Sequence, residues 1–171
     1  MKRLLCLRHA KSSWDDPALD DHDRPLAPRG HRAAPIVGKY IEQHGLIPDK
    51  VLCSSARRAR ETLDLASAPW PVQPRKEIDR GLYLTGVEAT LAILGRSDDR
   101  LDTILLVGHN PDMEQLVAMV AKRGDSAGRK ALARKYPTAA LAVIDLPLDH
   151  WADVAPGTGI LERFVIPKDL M

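Results

Sequence analysis

Residues 3–9 read RLLCLRH, a continuous apolar run that stops at an arginine–histidine pair, Arg8 and His9. A run of successive apolar residues, without alternation of polar residues, is typical of a strand in a parallel sheet whose two faces are both covered. The chain therefore takes two polar, reactive side chains to the end of a buried strand. In open α/β sheets ligands bind outside the carboxyl ends of the strands, so this end is a candidate reaction site.

Working outward from this strand, the sequence alternates strand-like and helix-like segments. We predict further strands at KVLCS (50–54), DTILLV (102–107), AALAVIDL (139–146) and ILERFVI (160–166). Segments with helical apolar spacing lie between them, which favours an α/β fold with a mostly parallel sheet. The C-terminal stretch HWADVAPGTGILERFVI (150–166) reads as two short strands joined by a Pro/Gly turn, and predicts an antiparallel addition at one sheet edge.

Composition limits the class of protein. The 171 residues predict one domain, and the 25 basic and 23 acidic side chains give a net charge of only +2, too even for a nucleic-acid-binding surface. Cys6 and Cys53 lie within apolar runs and are expected to be buried free thiols in a reducing compartment. No run approaches the roughly 20 apolar residues that span a membrane. We expect a cytoplasmic enzyme or binding protein without membrane partners.

Three predicted strands end in residues that suit a phosphoryl group. Arg8 and His9 follow the first strand, SSARRARET (54–62) follows the second, and Gly108–His109 follow the third, just before a helix predicted to begin with Asn110 as its N-cap. Arginine matches phosphate oxygens with a planar fork of donors, and histidine is a nucleophile or donor near neutral pH. Neither glycine-rich phosphate-binding pattern occurs, so side chains are expected to hold the phosphate.

Each of these motifs also has a structural interpretation without a function. Such interpretations are weaker for the three motifs together, because three strand ends would have to carry these residues by accident. An Arg-His pair at a strand end is usually solvated, and RRAR (57–60) is typical of an exposed helix face. Within it, Arg58 adjoins the apolar stripe, whereas Arg57 and Arg60 are expected to face solvent. A metal site is disfavoured because the histidines lack ligand spacing and have arginines beside them. A serine hydrolase is disfavoured because no G-x-S-x-G occurs.

Taken in order, these motifs resemble the histidine phosphatase superfamily, which has the phosphoglycerate mutase-like fold. LRHAKS (7–12) resembles its R-H-G signature, SSARRARET resembles S-x-x-x-R-A-x-x-T, and VGHNP (107–111) resembles its second histidine motif. The chain is most similar to the small bacterial phosphohistidine phosphatases, as RHAKSSW, DRPLAPRG, VGHNPDMEQL and YPTAALAVIDL indicate. The resemblance implies a single domain over residues 1–171 without large insertions, and a three-layer architecture with helices on both faces of the sheet.

The resemblance also implies roles for individual residues. His9 would attack phosphorus to form a covalent phosphohistidine intermediate, with His109 as a second catalytic residue. Arg8, Arg58 and His109 would hold the phosphoryl oxygens, no metal or other cofactor being required. Ser12 is a further candidate phosphate donor, and Arg24 is a candidate for substrate contact.

Two positions depart from the family pattern, and one role is left open. Ala10 replaces the usual glycine, and Asp15 stands where mutases often carry an asparagine. No single residue is assigned as the general acid. The candidates are Asp15, Asp16, Glu77 and Asp79.

Three functions stay open at this point. The first is a phosphatase of phosphohistidine on a signalling protein, for which a positioned acid matters less because imidazole protonates near neutral pH. The second is a phosphatase of small-molecule phosphate monoesters. The third is a phosphate- or phosphoprotein-binding module without turnover. An open pocket favours the first, and a closed pocket with a positioned carboxylate favours the second. Mutase activity is disfavoured by the short chain.

Overall fold

The computed structural model describes residues 1–171 as seven strands and five helices, with four short 3-10 helices in the connections and a long loop, residues 9–27, between the first strand and the first helix. The strands are β1 (Lys2–Arg8), β2 (Lys50–Ser54), β3 (Arg75–Asp79), β4 (Thr103–Gly108), β5 (Arg123–Gly124), β6 (Leu141–Leu146) and β7 (Ile160–Val165). The helices are α1 (Pro28–Gln43), α2 (Arg57–Ser67), α3 (Val87–Gly95), α4 (Asp112–Val120) and α5 (Ser126–Arg134).

All seven strands form one sheet in the order β3-β2-β4-β1-β6-β7-β5. Strands β1 to β4 pair in parallel, whereas β6 runs antiparallel to both of its neighbours, β1 and β7. The predicted α/β class, with a mostly parallel sheet and antiparallel pairing on one side, is confirmed. The continuous apolar run of β1 is explained by its place between β4 and β6.

Successive residues of β1 enter two separate cores on opposite faces of the sheet. Leu4 and Cys6 pack with residues of α3, α4 and α5, whereas Leu5 and Leu7 pack with residues of α1 and α2. Both faces of the strand are therefore covered, and the molecule has three layers. Cys6 and Cys53 are buried free thiols, as predicted. None of the helices combines the length and hydropathy that a membrane-spanning helix requires.

Two local predictions are corrected. Residues 150–166 contain one strand, β7, and not two, because Trp151–Asp153 form a single 3-10 turn in which the Trp151 side chain is buried. The second partner of β7 is β5, from the connection before α5. Helix α4 begins at Asp112, two residues beyond the predicted N-cap Asn110. The Asn110 side chain nevertheless accepts a hydrogen bond from the Glu114 amide at 3.3 Å, so it still serves the first turn of the helix.

Candidate active site

The carboxyl ends of β1, β2 and β4 meet at a cavity of about 230 Å³, which we term the strand-end cavity. Its lining includes all five residues that the sequence assigned to the site: Arg8, His9, Ser12, Arg58 and His109. It also includes Arg24, the candidate for substrate contact, and five further residues: Lys11, Trp14, Leu84, Asn110 and Thr138. Three strand ends thus deliver their reactive side chains to one place.

Strand register brings the two histidines together. Arg8 of β1 lies opposite Gly108 of β4 in a parallel pair, so the next residues, His9 and His109, leave the sheet side by side. The backbone amide of His9 donates to the Gly108 carbonyl at 2.9 Å, and the two imidazole centroids are 5.2 Å apart. Parallel pairing in this register is the reason that residues 100 positions apart share one site.

The His9 ring is held in one tautomer. Its Nδ1 lies 2.7 Å from the backbone carbonyl of Ala10, an acceptor only, so Nδ1 carries the proton and Nε2 keeps a free lone pair. Burial lowers the pKa of His9 to about 3, the Ala10 carbonyl opposes this effect, and the charges of Arg58, Arg8 and Arg24 lower it further. The side chain is therefore a neutral, oriented imidazole with a free lone pair on Nε2. Ala10 lacks the left-handed backbone that would require glycine.

His109 is fixed by Ser54, the last residue of β2. The Ser54 hydroxyl accepts from the Ala56 amide at 3.2 Å and forms a hydrogen bond of 2.7 Å with His109 Nε2. The other ring nitrogen, Nδ1, is buried and has no partner. Burial and the neighbouring His9 and Arg58 lower the pKa of His109 to about 3. A buried polar atom without a partner costs about 1–3 kcal/mol.

Arg8 and Arg58 each keep one buried donor free. Arg8 Nη1 donates to the Tyr136 carbonyl at 2.8 Å, and Arg58 Nη1 donates to the Asp21 carbonyl at 2.7 Å. The Nε of each guanidinium is buried without a partner. Two cations with unused donors at the end of a sheet suit a phosphoryl group, because the planar guanidinium fork matches a pair of phosphate oxygens. As predicted, Arg58 is buried in α2, whereas Arg57 and Arg60 are exposed.

The loop after β1 adds a second group of contacts. Arg24 Nη1 donates to the Ser12 hydroxyl at 2.8 Å, and the Arg24 guanidinium stacks over the Trp14 ring at 3.5 Å. Arg24 and Ser12 are buried, whereas Trp14 is 70% exposed at the rim. A backbone hydrogen bond from Ala27 to Lys11 closes this loop onto itself, at 2.8 Å. The loop is thus a fixed wall of the cavity.

Asp21 is the main site residue that the sequence analysis missed. Its carboxylate accepts hydrogen bonds from Arg58, Arg24 and the Tyr83 hydroxyl. Partial burial acts to raise its pKa, but the bonds from Tyr83, Arg58 and Arg24 prevail and lower the pKa of Asp21 to about 2. It stays ionised and orients the arginines. Nothing in the spacing of this aspartate-rich loop distinguishes Asp21 from its neighbours, so only the folded chain identifies it.

The four candidate general acids lie elsewhere. Asp15 is exposed, and the Asp16 carboxylate accepts from the Ala18 amide within its own turn. Glu77 forms an ion pair with Lys50 at 2.7 Å, and Asp79 accepts from the Gly81 amide. None of the four lines the strand-end cavity. No group of three or more histidine, cysteine, aspartate or glutamate side chains is arranged to hold a metal ion. The arrangement places buried arginine donors beside a neutral imidazole, which suits an anion.

Comparison with known proteins gives the same family as the motifs. Residues 4–83 match the histidine phosphatase superfamily (branch 1). An uncharacterised Mycobacterium tuberculosis protein, Rv1276c, is 37% identical over 164 residues, which cover 95% of this chain and 100% of that protein.

Two solved structures share the fold over nearly the whole chain, and both are described as SixA, assigned as phosphohistidine phosphatases. The one from Nakamurella multipartitia has a TM-score of 0.85 at 29% identity, covering 97% of this chain and 96% of its own. The one from Agrobacterium tumefaciens has a TM-score of 0.80 at 29% identity, covering 97% and 98%. With the sequence motifs, the relatives and the fold in agreement, this chain belongs to the histidine phosphatase superfamily, is most similar to its small bacterial SixA members, and is a phosphatase.

Proposed function

We propose that this phosphatase removes the phosphoryl group from phosphohistidine on a signalling protein, through a covalent intermediate on His9 and without a metal ion. The observation that carries the proposal is the composition of the strand-end cavity. Its lining is cationic, neutral polar or apolar and includes no aspartate or glutamate, and its rim residues Lys11, Trp14 and Leu84 are exposed. Two SixA relatives of similar length support the same class of substrate.

The first step is the attack of His9 on phosphorus. The free lone pair of Nε2 forms the new P–N bond while the P–N bond to the substrate histidine breaks in line. The product ring on His9 gains positive charge, and the Nδ1–H that donates to the Ala10 carbonyl stabilises it. The substrate ring, protonated by solvent on its other nitrogen, leaves as neutral imidazole with the electron pair of the broken P–N bond.

The leaving group explains why a cavity without a carboxyl group suffices. An alkoxide leaving from an ordinary ester requires a proton from a positioned acid, whereas imidazole binds a proton near neutral pH by itself. Asp21, whose carboxylate contacts two arginines of the cavity, is ionised with a pKa of about 2 and accepts hydrogen bonds from these arginines and from a tyrosine. It orients these groups and has no proton to give.

The second step returns His9 to its starting state. Water attacks phosphorus, the P–N bond to His9 breaks, and inorganic phosphate leaves while the proton lost by water passes to phosphate and solvent. In both steps Arg8, Arg58 and His109, in the tautomer with its proton on Nδ1, offer donors to the three equatorial oxygens. Such donors act where charge develops and cost no rearrangement at the moment of reaction.

The test is phosphate release, in the presence of EDTA, from a phosphohistidine-bearing protein and from a panel of small phosphate monoesters. We expect higher kcat/KM on the phosphohistidine protein and trapping of phosphohistidine on His9 under alkaline quench. His9→Ala abolishes both, and His31→Ala, a change at an exposed histidine on α1, alters neither.

Three results would contradict the substrate class, the metal-free mechanism and the turnover, respectively. Higher kcat/KM on one monoester moves the function to small-molecule metabolism. Inhibition by EDTA contradicts the metal-free mechanism. Substrate binding without phosphate release supports the non-catalytic binding module.

A further inference from the structure

A second and larger cavity lies directly beside the strand-end cavity. It measures about 660 Å³, and we term it the lateral cavity. It is formed by the start of α1, the end of α5 and the segment after β7, and it shares Lys11 and Thr138 with the strand-end cavity. A molecule whose phosphoryl group lies against His9 therefore extends naturally into this second space.

The charged side chains that line the lateral cavity are all cationic. Five cations line it, and no aspartate or glutamate does: Lys11, Arg29, Arg134, Lys135 and Lys168. All five are exposed, and none is among the side chains that form an ion pair or a hydrogen bond in this structure. In a chain with almost equal numbers of acids and bases, five unpaired cations around one cavity are a local excess that favours an anionic partner.

The exposure of these cations indicates what kind of anion fits. In the strand-end cavity Arg24 and Arg58 are 6% and 3% exposed, as suits a compact, desolvated phosphoryl group. In the lateral cavity the cations stand at the rim, and the partly buried Pro137, Phe164 and Ile166 supply apolar surface between them. An apolar centre with a charged, solvated rim is the usual composition of a protein-binding surface.

We propose that the lateral cavity docks an acidic segment of the phosphoprotein substrate, with carboxylates at the cationic rim and an apolar side chain between Pro137 and Phe164. This inference rests on the proposed function, since it concerns the protein that bears the phosphohistidine. In this proposal a surface outside the strand-end cavity selects the substrate protein. The side chains of the strand-end cavity contact only the phosphoryl group and the atoms next to it.

The test separates docking from catalysis. Binding of a fluorescein-labelled, unphosphorylated acidic peptide to the full chain is measured by anisotropy, beside a peptide in which Asn and Gln replace Asp and Glu. The variant Arg29→Glu/Lys168→Glu reverses two rim charges that lie outside the strand-end cavity. The control Lys39→Glu/Arg75→Glu makes the same change of net charge, from +2 to −2 at two units per substitution, at exposed residues away from both cavities.

We expect the parent chain and the control to bind the acidic peptide, and Arg29→Glu/Lys168→Glu to bind it about tenfold more weakly. With phosphohistidine peptides the same variant raises KM by a similar factor and leaves kcat unchanged. Equal binding of the acidic and amide peptides, or equal loss in the control, overturns the proposal. So does equally tight binding of a single-stranded oligonucleotide of the same charge. Because peptide binding requires no turnover, failure of phosphohistidine hydrolysis is recognised separately, in the phosphate-release assay.

Discussion

Asp21 holds Arg58 through two of its oxygens at once. Its main-chain carbonyl accepts from Arg58 Nη1 at 2.7 Å, and its carboxylate accepts from Nη2 at 3.0 Å. The same carboxylate accepts from Arg24 Nε at 3.1 Å. One acid in the loop after β1 thereby fixes the direction of two guanidinium groups that line the strand-end cavity, and leaves Arg58 Nε free.

Asp21→Asn tests this positioning role. The amide keeps the size of the side chain and the main-chain carbonyl contact, but it loses the charge that orients Arg58 and Arg24. A hydrogen bond to a charged group contributes about 1.5–3 kcal/mol, so we expect kcat/KM to fall roughly tenfold or more. Asp20→Asn, a neighbouring exposed change, serves as the control. Unaltered kinetics in Asp21→Asn would show that Arg58 is positioned by its other contacts.

Arg58→Ala and Arg57→Ala change neighbouring residues of α2. Arg58 is only 3% exposed, whereas Arg57 is exposed. We expect Arg58→Ala to lower kcat about 100-fold or more, because a donor aimed at the transition state is lost. Arg57 pairs with Glu61 on the helix surface at 3.3 Å, and its loss leaves kcat within about twofold, as for most exposed ion pairs. Steady-state kinetics on one substrate checks both, and the reverse order would contradict the assignment of Arg58.

The pKa values of three histidines are shifted from the ordinary value of 6.5, those of His9 and His109 downward and that of His150 upward. Burial lowers the pKa of His9 and His109 to about 3, so both stay neutral when the pH falls from about 8 to 5. The hydrogen bond from His150 to Asp99 raises the pKa of His150, which becomes protonated above the ordinary value. NMR of the imidazole C–H signals of the free protein measures this. A midpoint for His9 near 6.5 would refute the buried, neutral nucleophile.

Helices α1 and α2 cross so closely that Gly38 has no room for a side chain. A Cβ there would lie 1.9 Å from the Ala66 carbonyl oxygen, so Gly38→Ala forces the helices apart and is expected to cost about 1–3 kcal/mol of unfolding free energy. Gly95→Ala is the matched change, because its Cβ would be an ordinary 3.4 Å from Ala152; we expect an effect within about 1 kcal/mol. Urea unfolding compares the two. Equal stabilities would contradict the close crossing.

The reactive side chains at strand ends were predictable, because a strand end is a local feature of the sequence. Arg8 and His9 follow one apolar run and His109 follows another, and parallel strands place such ends at one edge of the sheet. Arg58 was distinguishable from Arg57 by its place beside the apolar stripe of α2. The general acid was not predictable in the same way. Glu77 and Asp79 were candidates, but the Glu77 carboxylate forms an ion pair with Lys50 and the Asp79 carboxylate accepts from the Gly81 amide.

The loop after β1 shows why some site residues escape a linear analysis. It carries several aspartates that differ little in local context, and only the folded loop brings Asp21 onto Arg58, 37 residues further along the chain. The lateral cavity also escapes such an analysis, since its cations come from the loop after β1, from α1, from the end of α5 and from the segment after β7. Side chains brought together from distant segments leave no periodic signal in the sequence.

The sequence by itself determined the α/β class, the buried strand β1, the two histidines and the arginine of α2, because burial patterns and strand ends are set by neighbouring residues. The tertiary structure alone decided the tautomer of His9, the Ser54 contact that orients His109, the Asp21 clamp and the cationic lateral cavity. These depend on strand register and loop packing, which bring residues from distant parts of the chain within hydrogen-bonding distance. Local propensities fix the elements, and long-range packing fixes the geometry that chemistry requires.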